Sequence, residues 1–150
     1  MNLITPLLSN DNIILDADIN SKKRLFEEVG RLCEQQINLS QSEVFDCLFA
    51  REKLGSTGLG QGVAIPHGRL AGVKQAVAAF IRLKEPIEFE SPDNKPVQLV
   101  FAMIVPEDAN SQHLEVLSQL ADVFSDKNAR EALLNADHSE AVLAVFSRED

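Results

Sequence analysis

Two stretches, AVAAFIRL at residues 76–83 and VQLVFAMIV at residues 97–105, are almost continuously apolar and partly β-branched. They lack the apolar-polar alternation of a sheet with one wet face, so each reads as a strand covered on both sides. Pro86, Pro96 and Pro106 bound them, since a residue with no N–H and a fixed φ interrupts a hydrogen-bonded ladder. Between the runs, Ile87 and Phe89 alternate with polar neighbours, and Pro92, Asp93 and Asn94 supply turn chemistry, which predicts a hairpin. A sheet with two such strands needs a layer on each face.

The flanking sequence supplies those layers. Leu25, Val29, Leu32 and Cys33 recur at helical spacing within Ser21 to Gln36, with Asn20 or Ser21 placed to cap. Ser40 and Glu43 have the capping-box spacing at the start of a second helix, in which Val44, Cys47 and Leu48 share a face up to about Leu54. After Pro106 the pattern is helical again: Leu114, Leu117, Ala121 and Phe124, then Ala129 to Ala136, then Ser139 to Phe146, with Asn110 or Ser111 as the cap of the first. The expected fold is therefore α/β, a sandwich with a central mixed β-sheet flanked by helices on both faces. No repeat, linker or low-complexity tract divides the chain, so residues 1–150 read as a single domain.

The formal net charge of −9 repels phosphate backbones and anionic lipid, and no basic stripe interleaved with aromatics offsets it, which argues against nucleic acid as a partner. The N-terminal MNLITPLLSNDNIILDAD has no basic stretch followed by a sustained apolar one, so neither export nor membrane insertion is expected. Cys33 and Cys47 fall on two different predicted helices without CxxC spacing and read as buried, reduced thiols of a cytoplasmic protein.

The chemistry concentrates in GSTGLGQGVAIPHGR, residues 55–69, where five glycines at 55, 58, 60, 62 and 68 let backbone amides approach a ligand. Phosphate is the natural guest, yet Gly55 to Gly60 is followed by Gln61 and Gly62 in place of Lys and Ser/Thr, and no GxGxxG is present. A nucleotide-binding loop is not encoded. Pro66 fixes its own φ and biases Ile65 to extended geometry, so Val63 to Ile65 reads as a short strand that delivers His67 at a loop mouth. A neutral imidazole with a pKa near 6.5 carries a lone pair at pH 7 and can attack phosphorus without a helper base. The residues alone leave open a second reading, a turn histidine satisfied by a backbone hydrogen bond.

Several residues stand where they could assist. His113 lies in the first turn of a predicted helix, where free amides and the dipole favour an anion. Arg51 ends the second helix and can bring a guanidinium to a transferring phosphoryl group; a solvent-facing arginine at a helix end is its alternative. Ser56, Thr57, Gly58 and Gly62 are the candidate phosphate-cradling residues. His138, in ADHSE, reads as an exposed capping residue. A metal site from His67, His113 and His138 lacks HxH, HxxxH or HExxH spacing, so no metal or other cofactor is expected.

REKLGSTGLGQGVAIPHGR resembles the active-site segment of phosphotransferase-system enzyme IIA proteins of the fructose/mannitol superfamily, the nitrogen-type members most of all. FESPDNKPVQLVFAMIVPE followed by HLEVLSQLADVF resembles that family's second block, and SKKRLFEEVGRLC its first helix, so the resemblance spans nearly the whole chain. It implies an α/β sandwich and a cytoplasmic phosphocarrier that needs no metal or nucleotide. His67 would be the phosphorylated histidine, His113 the second active-site histidine and Arg51 their associated arginine. It also implies attack through His67 Nε2 with Nδ1 held by a backbone acceptor, and a small histidine-phosphorylated carrier protein as donor. The contact with that donor is expected around His67, through apolar residues such as Leu59 and Leu70 with a complementary charged rim. Three functions follow for testing: a regulatory phosphocarrier of the nitrogen-related branch; a sugar-specific enzyme IIA that donates to a IIB domain; and a histidine-based metal-binding or hydrolase module.

Overall fold

A computed structural model describes residues 2–108 and 111–147, with Ser111 and Gln112 described by their backbone alone. After short 3-10 turns at Thr5–Leu7 and Asn10–Asn12, the order is β1 (Ile13–Ala17), α1 (Lys22–Ile37), α2 (Gln41–Lys53), β2 (Gly58–Gly60), β3 (Val63–Ala64), β4 (His67–Leu70), β5 (Val77–Ile87), β6 (Val97–Pro106), α3 (Ser111–Ser125), α4 (Lys127–Asn135) and α5 (Ser139–Phe146). The six strands form one mixed sheet in the order β1-β5-β6-β3-β2, with β4 also on β6. β5 and β6 pair antiparallel as the expected hairpin, while β1 runs parallel to β5. β3 and β4 both run parallel to β6, end to end along one edge of it.

Side-chain alternation along the two central strands builds a core on each face. Ala78 and Phe80 of β5 and Leu99, Phe101, Met103 and Val105 of β6 face the layer that includes Val116, Leu120 and Phe124 of α3, Leu133 of α4 and Phe146 of α5. Val77, Ala79, Ile81 and Leu83 together with Val100, Ala102 and Ile104 face Leu25, Phe26, Val29, Val44 and Leu48 of α1 and α2. Both faces are thus covered by helices, as the unbroken apolar runs require. Each fully buried Leu, Ile or Phe contributes roughly 1.5–3 kcal/mol of transfer free energy. The Phe146 ring fastens α5 to the sheet, edge-on to Phe80 and Phe101 at centroid distances of 5.6 and 5.8 Å.

Local details depart from expectation where a tertiary partner intervenes. β5 continues past Leu83 through Pro86 to Ile87, because its pairing with β6 slips between Arg82 and Ile87 and leaves no ladder bond for Pro86 to break. Phe89 is buried but lies outside any strand. Ser21 caps α1 as expected, its Oγ accepting from Arg24 N at 3.1 Å. Ser40 precedes α2 without a side-chain cap: its Oγ lies 3.0 Å from Ser42 Oγ, while Glu34 Oε2 accepts from the Gln41 amide at 2.9 Å. The cap expected of Asn110 or the Ser111 side chain falls outside the described residues. His138 caps α5, its Nδ1 accepting from Ala141 N at 3.0 Å.

Cys33 and Cys47 are free thiols on α1 and α2. Cys33 is buried, and that burial pushes its pKa up to about 12. Cys47 is only half-buried, a correction to the expectation of two buried thiols, because its sulfur reaches the wall of the cavity described next.

Candidate active site

The edge of β6 positions the site. Gly62 O accepts from Leu99 N at 3.0 Å, and Pro66 O accepts from Met103 N at 3.0 Å, so the segment from Gly62 through β4 is registered against β6 almost residue by residue. Gly60, Gln61 and Gly62 all adopt positive φ in the turn that carries β2 into β3, a conformation that glycine takes without steric strain. His67 sits opposite Met103 as the first residue of β4. The expected loop mouth is therefore the start of a short strand, since pairing with β6 makes HGRL extended despite its polar composition.

The His67 ring is half-buried, and its Nδ1 lies 2.7 Å from the Ile65 carbonyl oxygen. A carbonyl can only accept, so Nδ1 carries the proton and Nε2 carries the lone pair. Burial holds the ring's pKa below the ordinary 6.5, and the Arg51 guanidinium adds to this; the Ile65 bond and the Glu52 carboxylate push the other way. The neutral, nucleophilic form is thereby favoured at neutral pH.

His67 opens into a cavity of about 790 Å³ whose wall also includes His113, Arg51, Met103, Leu54 and Leu114. Three of the residues singled out in the sequence, from β4, α2 and α3, are brought to one opening. Arg51 anchors its Nη1 on the Gly55 carbonyl at 2.8 Å, which fixes the guanidinium at the end of α2. His113 is half-buried, and its Nδ1 is buried with no hydrogen-bond partner among the described residues. The rest of the wall is largely apolar, with Glu43, Asp46 and Arg69 as its other charged residues.

The remaining candidates lie elsewhere. Ser56, Thr57, Gly58 and Gly62 do not line the cavity. Thr57 N and Oγ1 donate to Glu52 Oε1 at 3.0 and 2.6 Å, Gly58 N donates to Ser56 Oγ at 3.1 Å, and Gly62 O serves β6. These groups are engaged within the protein frame, and the structure does not bring the four residues to the opening that His67, His113 and Arg51 share. Leu70 lines the cavity but Leu59 does not; Leu54, 85% exposed, and Leu114, 62% exposed, stand at the rim instead. Leu114 was expected in the apolar stripe of its helix with Leu117 and Ala121, but α3 buries Val116, Leu120 and Phe124 and turns Leu114 outward. Among the described residues no group of three or more His, Cys, Asp or Glu could hold a metal ion. No helix among them is long and apolar enough to cross a membrane.

Known proteins resemble the chain in sequence and in fold. The family described as "Phosphoenolpyruvate-dependent sugar phosphotransferase system, EIIA 2" matches residues 6–149. The chain is 39% identical over 151 residues to a nitrogen regulatory protein homolog of Haemophilus influenzae, covering 98% of this chain and 92% of that one. The crystal structure of nitrogen regulatory protein IIA-Ntr from Neisseria meningitidis superposes with a TM-score of 0.93 at 59% identity, covering 97% of this chain and 99% of that one. The mannitol IIA structure from Escherichia coli shares the fold, with a TM-score of 0.79 at 23% identity and coverage of 93% and 99%. The helix-covered mixed sheet and the match over residues 6–149 agree: the chain belongs to the EIIA type 2 family of the phosphoenolpyruvate-dependent sugar phosphotransferase system.

Proposed function

We propose that this protein is a cytoplasmic phosphocarrier of the nitrogen-related branch, which accepts a phosphoryl group on His67 from a phosphorylated histidine of a small carrier protein. The observation that carries the reading is the 2.7 Å bond from His67 Nδ1 to the Ile65 carbonyl, which leaves Nε2 as the lone-pair nitrogen of a ring at the cavity wall. The Nε2 lone pair forms the new P–N bond as the P–N bond to the donor ring breaks, and that electron pair returns to the donor imidazole. The proton stays on Nδ1 throughout, hydrogen-bonded to Ile65 O, and that carbonyl oxygen steadies the positive charge that the phosphorylated ring gains. Phosphoryl transfer through a loose transition state depends on in-line placement and on neutralising the oxygens. Arg51 supplies a fixed cation for this, and His113 supplies a ring from the first turn of α3 with hydrogen-bonding capacity free inside the protein.

The regulatory role is supported by relatives named as nitrogen regulatory proteins at 39% and 59% identity. Phosphorylation adds about two negative charges at a cavity lined by exposed leucines, two acids and two arginines, which changes what that face attracts. Incubation with phosphoenolpyruvate, enzyme I and the carrier, followed by addition of sugar-specific IIB, tests the reading. Label that reaches His67 and goes no further supports regulation. Onward transfer to a IIB makes the protein a sugar-specific enzyme IIA, and absence of label on His67 overturns the phosphocarrier reading.

A further inference from the structure

Glu52 follows Arg51 on the last turn of α2, but its side chain is only 4% exposed and it does not line the cavity. One carboxylate oxygen accepts both the amide and the hydroxyl of Thr57, at 3.0 and 2.6 Å, and the other accepts from Lys22 Nζ at 2.9 Å. Lys22 is itself held 4.4 Å above the Phe89 ring. Thr57 is buried, and its carbonyl accepts the Ile65 amide at 3.0 Å. The Ile65 carbonyl then accepts the His67 Nδ1 proton at 2.7 Å. Four consecutive hydrogen bonds therefore lead from a lysine through a buried carboxylate to the nucleophilic ring.

Burying a carboxylate is unfavourable unless its lone pairs are matched, and a neutral side chain could have filled this space. We propose that Glu52 is a positioning residue for phosphoryl acceptance: through Thr57 and the Ile65 peptide it holds the carbonyl that fixes the tautomer and heading of the His67 ring. The inference rests on His67 as the acceptor. Glu52 also acts on the ring through space, in opposition to Arg51. The other ionisable groups at the cavity are Glu43, Asp46, Cys47 and Arg51 of α2, Arg69 of β4 and His113 of α3.

The test combines acceptance rates from the phosphorylated carrier, over a pH series from about 5 to about 9, with nitrogen NMR of the His67 ring. Glu52→Gln keeps an acceptor for Thr57 but removes the charge, so the His67 titration and the acid limb of the rate profile both move to lower pH. Glu52→Ala and Thr57→Val slow acceptance about tenfold or more and give a mixture of ring tautomers, because small misplacements of a reacting group have large rate effects. Thr57→Ser keeps the hydroxyl and stays near the wild-type rate. Should Glu52→Ala fail to fold, Glu52→Gln and Thr57→Val decide. A folded Glu52→Gln with an unmoved titration, together with a Thr57→Val at wild-type rate and in one tautomer, overturns the proposal. A wild-type protein that takes no label on His67 overturns the acceptor reading instead, and the tautomer measurement still reports on Glu52.

Discussion

The imidazole of His67 donates to the carbonyl of Ile65 at 2.7 Å, across a proline whose ring fixes the intervening φ. The dipeptide between ring and acceptor is stiff, and it is tied to β6 by the bond from Met103 N to Pro66 O at 3.0 Å. The proton on one ring nitrogen is therefore fixed by the backbone of the sheet edge.

The first prediction concerns pH. His67 is held below its ordinary 6.5 chiefly by burial, so the unfolded chain binds a proton that the folded chain refuses over the interval between the two values. The associated stability is complete above 6.5 and declines as pH falls through that interval. Urea unfolding of the wild type and of His67→Gln checks the sign: the wild type loses ground relative to the variant on acidification and parallels it at alkaline pH. The acceptance rate follows the same neutral ring and holds constant from neutral pH upward.

The second concerns the assisting groups. His113→Ala slows phosphoryl acceptance about a hundredfold, the scale for loss of one preorganised donor, while His67 remains the labelled residue. Arg51→Lys keeps the positive charge but loses the planar fork and its anchor on Gly55 O, and it also slows transfer. Single-turnover rates at saturating carrier separate these effects from weakened binding.

The third concerns the packing behind the nucleophile. A Cβ placed on Gly68 would meet Cys47 Sγ at 2.6 Å, so Gly68→Ala costs about 1–3 kcal/mol through overpacking. Cys47→Ala in that background removes the obstructing sulfur and restores most of the loss. Denaturant unfolding of the four members of this cycle measures the coupling.

The fourth concerns Arg82, a buried charge in β5. Its Nη1 donates to Leu133 O at 3.0 Å and Leu134 O at 3.2 Å, and also to Ala136 O; Nη2 reaches Asp16 Oδ1 at 3.0 Å. The guanidinium thereby closes the C-terminal end of α4. Arg82→Met destabilises by roughly 1–3 kcal/mol for each buried carbonyl left without a donor. Labelling of His67 at temperatures well below the melting transition is unchanged.

The sheet and its layers were legible because Ala76–Leu83 and Val97–Val105 carry an unbroken apolar signal and the flanking segments read as helices, although α3 buries Val116, Leu120 and Phe124 and turns the expected Leu114 and Ala121 outward. β4 was not legible: HGRL is short and polar, and its extended state comes from the exposed edge of β6. Ser40 and Glu43 had the right spacing for a capping box, but Glu34 reaches the Gln41 amide across the turn, a partner that no local pattern reveals. At the site, residue type and the Pro–His sequence pointed to His67, and the helix ends pointed to Arg51 and His113. The glycine run signals backbone freedom without saying which way the amides face; here the Gly58 amide meets Ser56 Oγ and the Thr57 amide meets Glu52, away from the cavity. Glu52 itself was invisible, since its function depends on Lys22 and Thr57, which fold against it from separate segments.

The central claim is that phosphorus resides on one nitrogen of one ring. Nitrogen and phosphorus NMR of the protein after incubation with phosphoenolpyruvate, enzyme I and carrier tests it directly. The expected result is a single phosphohistidine at His67, bonded through Nε2 with Nδ1 still protonated. Phosphorus on His67 Nδ1, or on any other residue while His67 titrates as a free imidazole, would contradict it.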